Sequence, residues 1–400
     1  MRTSPTAARI VPLDSLPVEG VLERATTLIA GYDDELRRDL PDGAEIFDAH
    51  VHLGHDIDGF SGTYEDLERI NDRYGISHCF MFCMDEPDRH PSFRAANDRT
   101  LAYAERSEGR LIPFVRLDLA EEPIEEATRC LDLGARGIKL HPRAQRFLLN
   151  DERLAPVFAL AAERGVPILI HGGRGLPPIA DHLARLVDAY PDAQLIIAHA
   201  GIADLSGLAG RFGGRAGVFF DTSVWSPVDL LSFYHQVSPE QVLYASDYPY
   251  GRQPSSLLIA LRTAKLAGFD EGQLRMMLAG NANRIADGDA PLEPSGPMGG
   301  GTFTQSMALA RIHQYLSMAT PLLWTRQPDT VGVIGLALNA CNDRDGQAPE
   351  DLERIRELLV TARQLWRSLP ELDDEDRVPA NRATFALIHL ADILAVTSGA

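Results

Sequence analysis

The sequence predicts an α/β chain built as a (β/α)₈ (TIM) barrel with a C-terminal all-α appendage. Three observations carry this prediction. Eight short apolar runs are separated mostly by amphipathic stretches of helical period. Those runs are nearly continuous in apolar residues, as strands of a parallel sheet covered on both faces are. A Pro/Gly-rich stretch then intervenes, and only helical patterns come after it.

Taken in order, residues 1–43 read as an irregular arm and one helix, expected to pack on the outside of the barrel. The eight runs are 45–53, 77–84, 111–119, 137–141, 166–172, 193–201, 217–223 and 241–247. Eight units between residues 44 and 288 match a (β/α)₈ barrel in size and number. A doubly wound open sheet would usually show a Gly-rich fingerprint after its first strand, and none is present. Residues 289–303, "DAPLEPSGPMGGGTF", form a linker by composition. Helices are predicted at roughly 304–319, 329–342, 348–369 and 380–396, making 304–400 a helical domain. The second of them is apolar nearly all round, which calls for burial on most sides.

Composition removes several function classes. The formal net charge of −19 argues against nucleic acid, whose phosphates need clustered Lys and Arg. No run of about 18 apolar residues exists, so no membrane span is expected, and the N-terminus lacks the apolar core of a signal peptide. The four cysteines form no C-x-x-C pair, which predicts a reducing, cytoplasmic setting and structural thiols.

The chemistry lies at the ends of the strands. The stretch "FDAHVHLGHD" places His50 and His52 two residues apart on the first strand, so both side chains face the barrel axis. The fourth strand offers Lys139 and His141 by the same parity, the fifth His171, the sixth His199 and the eighth Asp247. The C-terminal end of a barrel strand is where such folds do chemistry. Converging imidazoles and a carboxylate, with few cysteines, suit Zn²⁺ or another divalent first-row metal. Asp48 is expected to orient a loop or a ligand histidine. His55, past the glycine, is left open between solvent and substrate.

These motifs, "DAHVHLG", "GIKLHP", "ILIHGG", "IIAHAG", "YASDYPYG" and "GNANRI", resemble the amidohydrolase superfamily over about residues 44–288. Within it they are similar to the amidohydrolase-related, aminocarboxymuconate-semialdehyde decarboxylase-like branch. The resemblance implies a divalent metal, Zn²⁺ first and Mn²⁺ second, held by His50, His52, His171 and Asp247. It implies His199 beside it, as a ligand of a second metal site or as a group polarising the substrate. Lys139 is left open among three roles: an ammonium that binds a substrate carboxylate, a carbamate bridging two metals, and a structural ion pair.

Further cations sit near the expected barrel mouth, Arg116, Arg143, Arg174 and Arg252, and arginine matches planar carboxylates. With Lys139, His141, Trp225 and Tyr248 they form the expected binding wall for a small anionic substrate. The expected reaction is hydrolysis of an amide, ester or lactone, with Asp247 accepting a proton from water and His199 serving the oxyanion or product. The alternatives are a carboxy-lyase acting on a small unsaturated or aromatic acid, and a metal-binding barrel with a non-catalytic interaction role. The resemblance also implies a homodimer.

Overall fold

A computed structural model of the chain describes residues 18–57, 59–300, 303–325, 327, 330–343 and 349–398. Each of the eight apolar runs forms a strand. They are β1 (Ile46–His55), β2 (Ile76–Cys83), β3 (Leu111–Arg116), β4 (Gly137–Leu140), β5 (Ile168–Ile170), β6 (Leu195–Ile197), β7 (Val218–Asp221) and β8 (Val242–Leu243). Consecutive strands pair in parallel around one sheet, and Ser61–Gly62 adds a short antiparallel ladder to the end of β1. The sheet closes into a barrel where Ala49 N donates to Tyr244 O (2.9 Å), Asp247 N to His50 O (2.9 Å) and His52 N to Tyr248 O (2.7 Å). Closure thus runs through the backbone of the two histidines and the carboxylate singled out in the sequence.

Every strand is followed by a helix, as a parallel order requires of its crossovers. The first of these, Tyr64–Tyr74, shows the local logic. Thr63 caps it by accepting from Asp66 N, and Gly75 ends it at φ 66°, a left-handed conformation suited to glycine. Phe47, Phe80, Phe82, Phe114, Leu169, Ile196, Phe219 and Leu243 pack inside the barrel as a buried cluster. At Phe82 this apolar cluster gives way to polar groups, for its ring lies against those of His50 and His52.

Residues 38–302 form one compact unit, and residues 1–37 with 303–400 form another. Most of the first helix, Val18–Asp39, falls in the second unit, while its last residue, Asp39, pairs with Arg262 and Lys265. Within the second unit, Arg24 pairs with Glu357 and Glu35 with Arg354, whose guanidinium also lies 5.4 Å from the Tyr32 ring centre. Residues 1–17 of the expected arm lie outside the described residues. The four predicted C-terminal helices are present as Met307–Trp324, Thr330–Ala340, Pro349–Ser368 and Asp374–Thr397. Thr330–Ala340 buries Ile334, Ala337 and Leu338 but leaves Gly332, Leu336 and Asn339 exposed, so one stripe is covered where the composition called for most sides. Residues 289–300 carry neither helix nor strand, as a linker would.

Candidate metal centre and active site

His50 and His52 lie on β1 with their rings inside the barrel, fully buried and nearly so. Their Nε2 atoms are 3.1 Å apart, and each is 3.2 Å from Asp247 Oδ1. The outer nitrogens explain the orientation. His50 Nδ1 donates to Asp221 Oδ2 at 2.7 Å, and His52 Nδ1 faces the Cys83 carbonyl at 3.4 Å. A carboxylate and a carbonyl only accept, so both rings carry their proton on Nδ1 and present a bare electron pair on Nε2. Three electron-pair donors thus converge within hydrogen-bonding distance with no proton among themselves. Such a set repels itself and suits a cation at its centre, and imidazole with carboxylate fits a divalent first-row ion.

Burial drives both imidazoles well below their ordinary range, with the nearby Lys139 adding to it, so they are neutral as ligands must be. Asp247 is pushed up to about 6 by burial, while His199 and Lys139 pull it back. It sits at φ 60° and His199 at φ 58°, left-handed conformations rare outside glycine. Strain of this kind concentrates where function over-determines the backbone.

The other predicted histidines form a second, adjoining group. His199 Nδ1 donates to the Ser223 carbonyl at 2.9 Å, which leaves its Nε2 to accept from His171 Nδ1, also at 2.9 Å. His171 then has a free electron pair on its own Nε2. It is not within the tight group of three; its ring stands 4.6 Å from that of His199, which is 5.2 Å from that of His50. His141 stacks on His171 with ring centres 3.9 Å apart, and its Nδ1 accepts from Ala144 N at 3.2 Å. Its proton is therefore on Nε2, the reverse of the other four. Gly173 makes the grouping possible: a Cβ there would stand 2.8 Å from His171 Cε1 and 3.1 Å from His199 Cδ2.

The predicted cations separate into two kinds. Lys139 and Arg116 are buried at the ends of adjacent strands, in register with each other. Lys139 Nζ donates to His50 Nε2 at 3.2 Å and lies 4.6 Å from the Phe82 ring centre. Burial lowers its pKa to about 7 against the pull of Asp221 and Asp247. Arg116 is 2% exposed, lies 4.9 Å from the Phe93 ring centre, and has no hydrogen-bond partner at Nε or Nη2 among the described residues. Arg174 and Arg252, by contrast, are ion-paired, to Asp229 and to Asp66. Tyr248 is buried, with its hydroxyl 3.0 Å from Asp66 Oδ2 and Arg252 over its ring. Arg143 is exposed and Trp225 half-buried. His55 is exposed at the end of β1.

Asp48 does what its position suggested. Its Oδ1 accepts from His50 N (3.2 Å) and Ser246 N (2.9 Å), clipping β1 to the segment that carries Asp247. Asp221 is the site residue that the motifs do not single out. It ends β7 in "VFFD", and a charged residue closing an otherwise apolar strand was the available signal. Tyr250, outside the expected set as well, sets its ring edge against His52 at 5.7 Å.

Residues 83–285, about half of the chain, match the family model described as Amidohydrolase. His50 and His52 precede the matched span. Among solved structures, the IDCase of Metarhizium anisopliae in its apo form aligns with a TM-score of 0.50 at 15% identity, over 62% of this chain and 98% of that one. A 4-oxalomesaconate hydratase from Rhodopseudomonas palustris aligns with a TM-score of 0.47 at 16% identity, over 61% of this chain and 96% of the other. A TIM-barrel protein of Bordetella bronchiseptica gives 0.48 at 17%, over 61% and 99%. No curated protein sequence matches the chain.

Proposed function

Because the chain belongs to the amidohydrolase family, we propose that it is a metal-dependent hydrolase cleaving an amide, ester or lactone of a small, carboxylate-bearing substrate. One observation carries this reading: His50 Nε2, His52 Nε2 and Asp247 Oδ1 converge within 3.2 Å as three electron-pair donors. These residues, with His171 as the fourth, would hold a divalent ion, zinc first and manganese second. When bound, such an ion acidifies water and polarises a carbonyl oxygen.

The remaining work falls to side chains of this chain. Asp247, lifted by burial to about 6, accepts a proton from water at neutral pH and is acidic enough to return it to a leaving group. His199 was expected to serve the oxyanion, but both of its nitrogens are engaged; we assign it to orienting His171. His141, whose proton is on Nε2, is the imidazole of this group able to donate to substrate oxygen. Arg116 Nε and Nη2, which have no hydrogen-bond partner among the described residues, are offered to a substrate carboxylate, and Lys139 adds a second buried donor beside them.

A second reading, decarboxylation of a small acid, is favoured by the same two buried cations, since a carboxylate brought to them lies beside the metal-binding trio. Product analysis separates the two. A panel of carboxylate-bearing amides, esters and lactones is assayed for new acid groups, and a panel of unsaturated and aromatic acids for released carbon dioxide. Turnover of the first panel supports hydrolysis, and carbon dioxide from the second replaces it. Among the described residues no helix is long and apolar enough to cross a membrane.

A further inference from the structure

We propose that Asp221 is the positioning residue of this centre, one carboxylate that sets His50 and His199 together. The inference rests on the metal-site reading for its consequence, though not for its geometry.

Asp221 is the last residue of β7 and is fully buried. Its Oδ2 accepts from His50 Nδ1 at 2.7 Å. Its Oδ1 accepts from His199 N (2.8 Å), from Ser223 N (3.0 Å) and from the Ser223 hydroxyl. All four partners are donors, so both oxygens must be acceptors, a requirement only a carboxylate meets. The Oδ2 contact sends the His50 proton outward and leaves its Nε2 unprotonated, facing His52, Asp247 and the Lys139 Nζ that donates to it. The Oδ1 contact holds the backbone of His199 in its left-handed conformation, and with it the ring that faces His171. One side chain on β7 thereby aligns a ring from β1 with a ring that follows β6. Carboxylates behind a ligand histidine generally fix its tautomer and raise its basicity.

The amide of Asp221→Asn cannot satisfy this arrangement. If its NH₂ faces His50, it donates to Nδ1, and the ring's proton moves to Nε2, inside the trio. If its NH₂ faces the other way, donor meets donor and the His199 N–H loses its acceptor. Either choice impairs the centre with little change of volume.

Two measurements test this. The first is ¹⁵N NMR of histidine-labelled, metal-free wild-type protein, which reads the ring tautomers directly. Asp221 as positioning residue requires His50 protonated on Nδ1; His50 protonated on Nε2 overturns the proposal, whatever the variant does. The second is Zn²⁺ affinity by competition with a chromophoric chelator, on wild type and on D221N shown to be folded by circular dichroism. Weakening by about 10–100-fold supports the proposal. Wild-type affinity in folded D221N contradicts it. If D221N does not fold, the wild-type tautomer decides. If the wild type itself binds no Zn²⁺, the metal reading fails, while the tautomer still judges the role of Asp221.

Discussion

Arg116 and Lys139 are register partners on adjacent strands, and both cations are buried at the same end of the barrel. Neighbouring buried cations are costly unless an anion meets them. Asp221 and Asp247 draw on Lys139, but Arg116 Nε and Nη2 remain without a partner among the described residues. Asn97 pins the backbone of Arg116 from both sides, accepting from its N at 3.0 Å and donating to its O at 2.9 Å, so the guanidinium is aimed by a fixed strand end.

Arg116→Gln should therefore raise KM for a carboxylate-bearing substrate by about 10–100-fold, the loss of a charge-assisted hydrogen bond of roughly 1.5–3 kcal/mol. Bound metal should stay at the wild-type level, because Arg116 is not one of the proposed ligands. Steady-state kinetics with metal analysis on the same sample checks both halves.

Lys139 is assigned here as a substrate-binding cation. Metal-stripped enzyme should then regain activity at the same rate with and without bicarbonate, and Lys139→Arg should keep substrate binding. Faster recovery with bicarbonate, together with a mass increase on intact Lys139, would instead identify a carbamate.

Asp48 gives a pH signature of stability. Burial raises its pKa to about 7 in the folded protein, against an ordinary value of 3.8. The folded state then holds a proton that the unfolded state releases, so this contribution to stability falls as pH rises through that interval and is fully unfavourable above about 7. Asp48→Asn keeps an acceptor for His50 N and Ser246 N but does not titrate. Relative to wild type, metal-free D48N should gain stability on the order of a few kcal/mol between about pH 4 and about pH 8. Urea unfolding at both ends of that range measures it.

The division into two units predicts where the chain can be cut. A fragment of residues 38–302 should unfold cooperatively and bind metal as the whole chain does. One that begins at residue 1 and ends at 289 leaves Val18–Asp39 without its helical partners and should aggregate or be proteolysed within that helix. Limited proteolysis and chelator competition on both fragments distinguish the two results.

Much of the site is readable in the sequence because a barrel strand has only two faces. His50 and His52 share parity, and Lys139 is inward for the same reason, so spacing alone aims them at one another. The strand ends are harder. His141, His171, His199 and Asp247 all follow their strands, where no period constrains direction, and their pairing depends on the left-handed turns at His199 and Asp247. Composition does not separate Arg116 from Arg174 and Arg252, because what differs is the carboxylates that the fold brings to the latter two. Asp221 escapes notice since its partners come from β1 and from the turns after β6 and β7, far apart in sequence. The helical partners of the first helix are unreadable for a related reason: amphipathic period shows that a face is covered but not by which element.

The most direct test of the metal centre is the metal content of the purified full-length chain, beside that of Asp247→Asn. Elemental analysis after dialysis against Zn²⁺ or Mn²⁺ and removal of the excess should find about one divalent ion per wild-type chain. The variant, folded because the substitution hardly changes volume, should retain much less and turn nothing over. A wild-type chain that holds no divalent ion, or a D247N protein with undiminished metal and activity, would contradict the metal-dependent mechanism.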